Sequence, residues 1–386
     1  MKIYVDTAVG IQAVFDKGSG TNYSFTHTLM KYDSKVNDAY DFQPTGPATP
    51  VGATNGSAAP KLLASTASLG PVMQEVRLQI SAEHKTRVRI WRSKDPAVGG
   101  RIELAHRIGV LEPQTEVASR FAVSELHAAE FFSEDNGYEV IRHSSGSEDK
   151  DINLNHYPSQ MSTFISDGEH QLSVALEHGH GVASLYNGTL DVMQHRRGGP
   201  FEGSGSTVVL DDTDRLLTET WLSVGNVSAA NRLRHSNKLR LNHPLSVLFG
   251  DGVTAARKHL VDPLAGQVPS MGESVHLQSV RATSSSADEV LLNLLHVYGE
   301  KELPAHLRQP QNLDLAALLK PFRPDLTALN ETSLNGMVPK EEAETERRVW
   351  KTASPPSSAA RAEQPEAGGA LLIRPFEFKT FLAKEF

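Results

Sequence analysis

Apolar and polar residues alternate along much of this chain. Val76, Leu78 and Ile80 alternate with charged or polar neighbours, and Val88 and Ile90 do the same. The alternation returns at Ile102/Leu104, Leu172/Val174/Leu176, Leu190/Val192, Val208/Leu210, Val275/Leu277, Leu294/His296/Tyr298 and Phe376/Phe378. A period of two places apolar side chains on one face of a strand, so the pattern predicts many short, half-buried strands.

Helical spacing is scarce by contrast. The segment 314–320 is long enough for one or two helical turns, and the high charge of segment 341–350 predicts a weak helix there. Gly and Pro are spread throughout the chain and indicate turns between the strands. Short strands repeating at about 8–12-residue spacing predict an all-β sandwich architecture.

The chain contains 386 residues, enough for two or three domains. Residues 44–70 and 352–370 are rich in small residues and Pro, and we interpret them as irregular insertions because strand patterns flank both. The strand pattern is interrupted between residues 245 and 272. We therefore predict two domains, residues 1–265 and residues 266–386.

Charge and composition exclude several classes of protein. Lys plus Arg total 38 against 46 Asp plus Glu, a formal net charge of −8, which argues against a nucleic-acid binder. No apolar run is long enough to span a bilayer, and residues 1–6 lack the apolar core of a signal peptide, so we expect neither feature. The sequence has no cysteine, so any metal site would need His and carboxylate ligands.

Two short motifs carry candidate chemistry. His178 and His180 lie two residues apart after a predicted strand, but no third ligand is evident, so we expect a β-turn and no metal site. His195, Arg196 and Arg197 end another strand. They form either an ion-paired rim of the sheet or an interface with a saccharide or a second domain, because the planar Arg fork suits carboxylates and sugar hydroxyls.

The run from Phe131 to Arg197 carries a family pattern. It contains the segments FFSEDNG, NHYP and DG, followed by GVASLYNGTLDVMQHRR. Order and spacing resemble the C-terminal region of glycoside hydrolase family 38 α-mannosidases. The matching residues are Phe132, Asp135, Asn136, Gly137, Asn155, Tyr157, Pro158, Asp167, Gly168, Gly181, Ser184, Leu185, Gly188, Leu190, Met193, His195, Arg196 and Arg197.

The resemblance extends over essentially the whole chain. Upstream, the segments GIQ at residues 10–12, DKGSG at 16–20 and QEV at 74–76 look like the family's opening strands. Downstream, VHL at 275–277, TSL at 332–334, WKT at 350–352 and the closing IRPFEFKTFL keep the family's order.

The resemblance also implies what lies outside this sequence. Family members hold a zinc ion and a nucleophile in an N-terminal α/β barrel, and the motifs of that barrel do not occur here. We therefore expect the non-catalytic C-terminal β half of an α-mannosidase, with the barrel of the same enzyme and a mannose-containing glycan as partners. We expect zinc in the catalytic half and no cofactor in this chain. The family implies a lysosomal or other acidic compartment of the secretory pathway.

Individual residues acquire roles through the resemblance. Tyr157 occupies the place of a family Tyr that reaches the catalytic pocket, so we expect it at the edge of the substrate pocket. Arg281 is a second candidate at that edge, and His195, Arg196 and Arg197 are candidates for support of the interface or pocket. Five Asn-x-Ser/Thr sequons are possible glycosylation sites of a secretory protein: Asn22, Asn55, Asn187, Asn226 and Asn330.

The family further implies the fold: an all-β chain with a galactose-mutarotase-like supersandwich followed by a smaller immunoglobulin-like β-sandwich. The predicted function is completion of the substrate pocket and support of the barrel. One alternative is a stand-alone carbohydrate-binding or interaction protein derived from this half. A second is an epimerase-like enzyme, which would require a His–carboxylate pair converging in one groove, with His156, His178 and His180 as candidates.

Overall fold

The structure is a computed structural model that describes residues 1–35, 42–53, 61–146, 152–198, 210–246, 271–283, 289–300, 302–319, 328–346 and 370–384. The chain divides into two compact units, Met1–Leu245 and Ser246–Phe386. The predicted division between residues 265 and 266 lies outside the described residues.

The first unit is built from antiparallel strands. They are β1 Lys2–Asp6, β2 Gly10–Phe15, β3 Asn22–Tyr23, β4 Phe25–Asp33, β5 Thr49–Pro50, β6 Ala64–Leu69, β7 Met73–Gln79, β8 Lys85–Trp91, β9 Ile102–Ile108, β10 Thr115–Val123, β11 Glu130–Glu134, β12 Val140–Ser144, β13 Tyr157–Ser159, β14 Ser162–Ser166, β15 His170–Leu176, β16 His180–Ala183, β17 Thr189–Arg197 and β18 Leu216–Asn226. Helices α1 (Pro96–Gly99) and α2 (Val227–Asn242) and a 3-10 turn (Ile152–Asn155) interrupt or follow them.

Among the described residues these strands form two large sheets and one small one. The six-stranded sheet has the order β13-β16-β17-β10-β4-β5, and the nine-stranded sheet has the order β12-β11-β14-β15-β18-β9-β8-β7-β6. Strands β1, β2 and β3 form the small sheet. Phe121 and Leu190 of the six-stranded sheet share one buried core with Leu104 and Val174 of the nine-stranded sheet. The two large sheets therefore pack face to face.

The second unit is a smaller β-sandwich. Its strands are β19 Val275–Ala282, β20 Glu289–His296, β21 Gln311–Asp314, β22 Ala328–Thr332, β23 Ala370–Ile373 and β24 Phe378–Lys384. Strands β19-β20-β24-β22 form one sheet and β21-β23 another, and helices α3 (Leu315–Leu319) and α4 (Lys340–Thr345) join them. Leu292 and Phe381 of the first sheet share a core with Leu313 and Ile373 of the second. The predicted all-β fold, a supersandwich followed by a smaller sandwich, is confirmed.

Helix α2 lies against β15 and β18 and was not predicted. It begins at Asn226, whose side chain accepts a hydrogen bond from Ala229 N at 2.9 Å and so satisfies a free donor of the first turn. Its buried face is mostly polar. Arg234 and Lys238 are fully buried and both donate to Oε1 of Glu134 on β11, from Lys238 Nζ at 2.7 Å. Ion pairs thus attach the helix to the sheet in place of an apolar stripe.

A row of polar side chains crosses the interior of the first unit. Thr86 Oγ1 hydrogen-bonds His106 Nδ1 at 3.1 Å, and Ser119 Oγ lies within hydrogen-bond distance of Nε2 of both His106 and His27. The two imidazole rings stack with centroids 4.9 Å apart. Because burial lowers the pKa of His27 to about 3 and the pKa of His106 well below 6.5, both rings are neutral at neutral pH.

Two local predictions were wrong. Residues 44–70 are not irregular throughout, because β6 lies within them and forms the edge of the nine-stranded sheet. Phe376 does not belong to the last strand: its φ of +59° places it in a turn, and β24 begins at Phe378. Residues 352–369 lie outside the described part of the chain. No helix within the described ranges has the length and apolar character needed to cross a bilayer.

Candidate functional site

Tyr157 lies where the edges of the two large sheets meet. It begins β13, the edge strand of the six-stranded sheet, and its half-buried ring packs against the core. The ring stacks on His143 of β12 with centroids 3.8 Å apart and planes inclined by 24°. The ring centroid of Phe131, on β11, lies 5.8 Å from that of Tyr157. Since β12 is the edge strand of the nine-stranded sheet, Tyr157 bridges two sheet edges and holds its phenol at the rim of the sandwich.

His143 fixes the orientation of this phenol. Its Nε2 hydrogen-bonds the hydroxyl of Ser133 at 2.7 Å, which holds the imidazole plane beneath Tyr157. Burial lowers the pKa of His143 from its ordinary value, which favours the neutral ring. Sequence reasoning missed His143 and Ser133, because their contact with Tyr157 depends on pairing between strands that are distant in the sequence.

The residue before Tyr157 faces the opposite way. His156 packs edge-on against Phe42 and Tyr32 on the outer face of the six-stranded sheet. Next to it, Arg120 Nε and Nη2 each donate to a carboxylate oxygen of the fully buried Asp191 at 2.7 Å, and Tyr32 donates to Asp191 at 3.2 Å. This bidentate ion pair was not predicted. Its only sequence signal is an acidic residue inside the apolar run of β17.

His195, Arg196 and Arg197 end β17, as predicted, and both arginines have partners within the unit. Arg196 Nη2 donates to Glu116 Oε1 at 3.1 Å. Arg197 donates to Asp211 Oδ1 and to the carbonyl of Leu111, both at 2.7 Å. Burial raises the pKa of Glu116 to about 7 although Arg196 opposes the shift. Of the two interpretations left open above, these contacts favour the ion-paired rim.

His178 and His180 lie close together, with ring centroids 4.3 Å apart. His180 Nδ1 donates to the carbonyl of Met193 at 2.6 Å, and burial lowers the pKa of His180 to about 4. His178 Nδ1 lies 3.5 Å from Glu177 Oε1, so one His–carboxylate pair exists here, whereas His156 lies in the aromatic cluster with Tyr32. Among the described residues no group of three or more His, Cys, Asp or Glu side chains is placed to hold a metal ion.

The remaining candidates are on the surface. Arg281 is exposed on β19 in the second unit, opposite Leu291 of β20. Four of the sequon asparagines are exposed, and the fifth, Asn55, lies outside the described residues. The exposed four are Asn22, Asn187, Asn226 and Asn330. Asn226 is also the N-cap of α2, and Asn187 Nδ2 lies 3.1 Å from His127 Nδ1.

Curated relatives of this chain are α-mannosidases. The chain is 29% identical over 309 residues to the epididymis-specific α-mannosidase of Homo sapiens, an alignment that covers 73% of this chain and 30% of that protein. It is 26% identical over 341 residues to the lysosomal α-mannosidase of Mus musculus, covering 81% of this chain and 31% of that protein. The chain therefore spans about a third of the length of these relatives.

Solved structures share the fold. The α-mannosidase from Enterococcus faecalis V583 superposes with a TM-score of 0.59 at 12% identity, over 98% of this chain and 41% of that chain. The family model described as "Glycosyl hydrolases family 38 C-terminal domain" matches residues 1–199, which include Tyr157 and the His195–Arg196–Arg197 motif. The resemblance found in the sequence is thereby confirmed: the chain belongs to the family of glycosyl hydrolase family 38 C-terminal domains.

Proposed function

We propose that this chain is the non-catalytic β-rich part of a retaining α-mannosidase, completing the substrate pocket of an N-terminal catalytic barrel and supporting that barrel. One observation carries the proposal: a family 38 C-terminal domain occupies residues 1–199, and alignments with α-mannosidases continue over 73–81% of the chain. The substrate class is then a glycan with terminal α-mannose.

The position of Tyr157 supports a role at the edge of the pocket. Its ring is held by His143 and the core, so little rotamer freedom is lost when a sugar hydroxyl binds the phenol. Its strand is at a sheet edge, where a neighbouring domain has access to the side chain. A positioned phenol can donate to a carboxylate or to a sugar hydroxyl.

The ion pairs around β17 support a scaffolding role. Arg120 and Asp191 are paired within the six-stranded sheet, and Arg196 and Arg197 are paired at its rim. Bidentate and partly buried pairs of this kind fix side-chain geometry. A rigid sheet rim of this type suits a surface on which another domain rests.

The cofactor and the compartment follow from the same proposal. Zinc would be bound by the catalytic barrel, where it would hold sugar hydroxyls, and the nucleophile would come from that barrel as well. The lysosomal α-mannosidases of Mus musculus and Homo sapiens among the relatives support a lysosomal or other acidic secretory compartment. Glycosylation at the exposed sequons would accompany that location.

The test is hydrolysis of p-nitrophenyl α-mannoside by the chain alone and by the chain combined with a separately produced family 38 catalytic barrel, each with and without zinc. We expect no turnover by the chain alone and zinc-dependent turnover by the combination. Zinc-dependent turnover by the chain alone would contradict the non-catalytic role and would make the epimerase-like or another catalytic interpretation worth testing.

The role of Tyr157 is tested in the same combination. Tyr157→Phe removes one hydroxyl, and we expect kcat/KM to fall about tenfold, the value of one hydrogen bond. The matched control is Tyr4→Phe, which removes a hydroxyl from a 52% exposed ring on β1 and should leave kcat/KM unchanged. Equal kcat/KM values for both variants would refute the pocket-edge role of Tyr157 but would not bear on the scaffolding role.

A further inference from the structure

The outer face of the nine-stranded sheet carries a concentration of positive charge on β7, β8 and β9. In the antiparallel register, Arg77 of β7 pairs with Arg87 of β8, and Lys85 of β8 pairs with Arg107 of β9. Arg87 and Lys85 are two residues apart on one strand and therefore share a face. We call Arg77, Lys85, Arg87 and Arg107 the basic quartet.

The basic quartet is unfavourable for the sheet by itself. Like charges directly opposite on neighbouring strands repel, because their Cβ atoms lie only about 5 Å apart. In the next row of the same face, opposite charges face each other. Glu75 pairs with Arg89, and Arg89 pairs with Glu103, so the charges alternate from strand to strand. Glu75 offsets part of the repulsion between Arg77 and Arg87, whereas the row that contains Lys85 and Arg107 has no carboxylate.

Two side chains of the quartet are ion-paired with Glu75, and the other two make no hydrogen bond to a described residue. Arg77 Nε donates to Glu75 at 2.7 Å, and Arg87 Nε lies 3.9 Å from the same carboxylate. The side chains of Lys85, Arg87 and Arg107 donate no hydrogen bond to any described residue. Lys85 and Arg107 therefore have unused donors on one face of the sheet, although Arg107 also interacts electrostatically with Glu83.

A concavity lies over the quartet. Its volume is about 420 Å³, within the range of small-molecule sites. All four residues of the quartet line it together with polar residues such as Thr66 and Gln79 and apolar residues such as Ala64, Ala105 and Leu217. Among the described residues that line it there is no Asp or Glu. The chain as a whole carries a net charge of −8, so this concavity is a local positive site on an acidic protein.

We propose that this concavity binds a small polyanion that carries at least two phosphate or sulfate ester groups. Neighbouring strands are about 4.8 Å apart and alternate residues on a strand about 6.8 Å apart, so the four cations present two pairs of donors at the spacing of adjacent ester groups on one small ring. The Arg fork binds such oxyanions in a bidentate manner, and the hydroxyl of Thr66 adds a neutral donor. The bound anion would also neutralise the repulsion within the quartet.

The test is isothermal titration calorimetry of the full chain with three probes, at low and at physiological salt concentration. Inositol hexakisphosphate presents phosphate esters, a heparin-derived tetrasaccharide presents sulfate esters, and maltotetraose is the uncharged control. We expect saturable binding of at least one anionic probe, weakened by salt, and no binding of maltotetraose. The probe that binds more tightly identifies the ester, and absence of saturable binding by both would overturn the proposal.

A matched pair of variants shows whether binding occurs at this site. Lys85→Gln combined with Arg107→Gln removes two cations of the quartet and should weaken binding by at least about tenfold. Arg142→Gln combined with Arg240→Gln makes the same charge change at exposed positions on β12 and α2, and should bind as the parent does. An equal loss in both variants would indicate general charge attraction and would refute the site.

Thermal unfolding without any anion separates a ligand site from cations that support the fold. Since Lys85 and Arg107 lie directly opposite each other and neither pairs with Glu75, Lys85→Gln with Arg107→Gln relieves like-charge repulsion, and we expect its Tm to equal or exceed that of the parent. A lower Tm together with lost binding would mean that these cations support the fold, and would overturn the proposal. Neither outcome depends on α-mannosidase activity, so this proposal can fail while the proposed function stands.

Discussion

His27→Asn is expected to make the first unit more resistant to acid. The imidazole of His27 is buried between the sheets, where burial lowers its pKa to about 3. It stacks on His106, whose own pKa is also lowered by burial, so protonation of either ring would place a charge beside another buried imidazole. Asn at this position cannot titrate, and its shorter side chain gives up the contact that Nε2 of His27 makes with Ser119.

The size of the effect follows from linkage between protonation and folding. In the unfolded chain His27 has its ordinary pKa of 6.5, so between pH 6.5 and pH 4.5 the unfolded state binds a proton that the folded state does not. Two pH units at about 1.4 kcal/mol each give a loss of about 3 kcal/mol from this residue. The stabilisation is complete above pH 6.5 and is lost progressively as the pH falls toward 3.

The assay is urea denaturation at pH 7.5, 6.0, 5.0 and 4.5, followed by tryptophan fluorescence, to which Trp91 and Trp221 contribute from the first unit. His27→Asn should lose less of its free energy of unfolding between pH 7.5 and 4.5 than the parent, by about 3 kcal/mol. His127→Asn removes an exposed histidine of the same unit and should retain the parent's acid dependence. Parallel curves for His27→Asn and the parent would refute the assignment of His27 as a buried neutral base.

Other changes test the buried charges. Glu134→Ala should lower the free energy of unfolding by about 3–5 kcal/mol, because it removes the carboxylate shared by the fully buried Arg234 and Lys238; a loss below about 1 kcal/mol in urea denaturation would contradict this. Glu116→Gln should remove a loss of stability between pH 4.5 and pH 7, since burial raises the pKa of Glu116 to about 7 and the folded state retains a proton that the unfolded state releases. An unchanged slope over that range in pH-dependent urea denaturation would show that Glu116 is not the group responsible.

The alternating pattern was sufficient to predict several of the strands and the faces they bury. Leu78 and Val88 point into the core of the first unit as their spacing predicts, and Leu172 and Val174 do the same on β15. The pattern could not predict that Glu75 is buried at a polar position. It is buried because Arg77 and Arg89 supply its partners, and a partner on another strand is not visible before the register is known.

Helix α2 could not be predicted from the sequence pattern, for a different reason. Sequence periodicity detects apolar stripes, whereas the buried face of this helix contains Asn231, Arg234, Asn237 and Lys238. Its remaining signal was the N-cap Asn226, which also fits a glycosylation sequon. The family resemblance located Tyr157, but its stacking on His143 depends on the meeting of two sheet edges and could not be derived from local sequence.

The segment that matches the family model and the segment that folds as one unit end at different residues in this protein. The family match ends at residue 199, yet the strand joining the two halves of the nine-stranded sheet is β18, Leu216–Asn226, which pairs with β15 on one side and β9 on the other. A recombinant product cut at residue 199 would leave both neighbours as open edges with unpaired backbone groups. Such edges template association with other chains, so this product should precipitate or domain-swap more readily than one extended through α2.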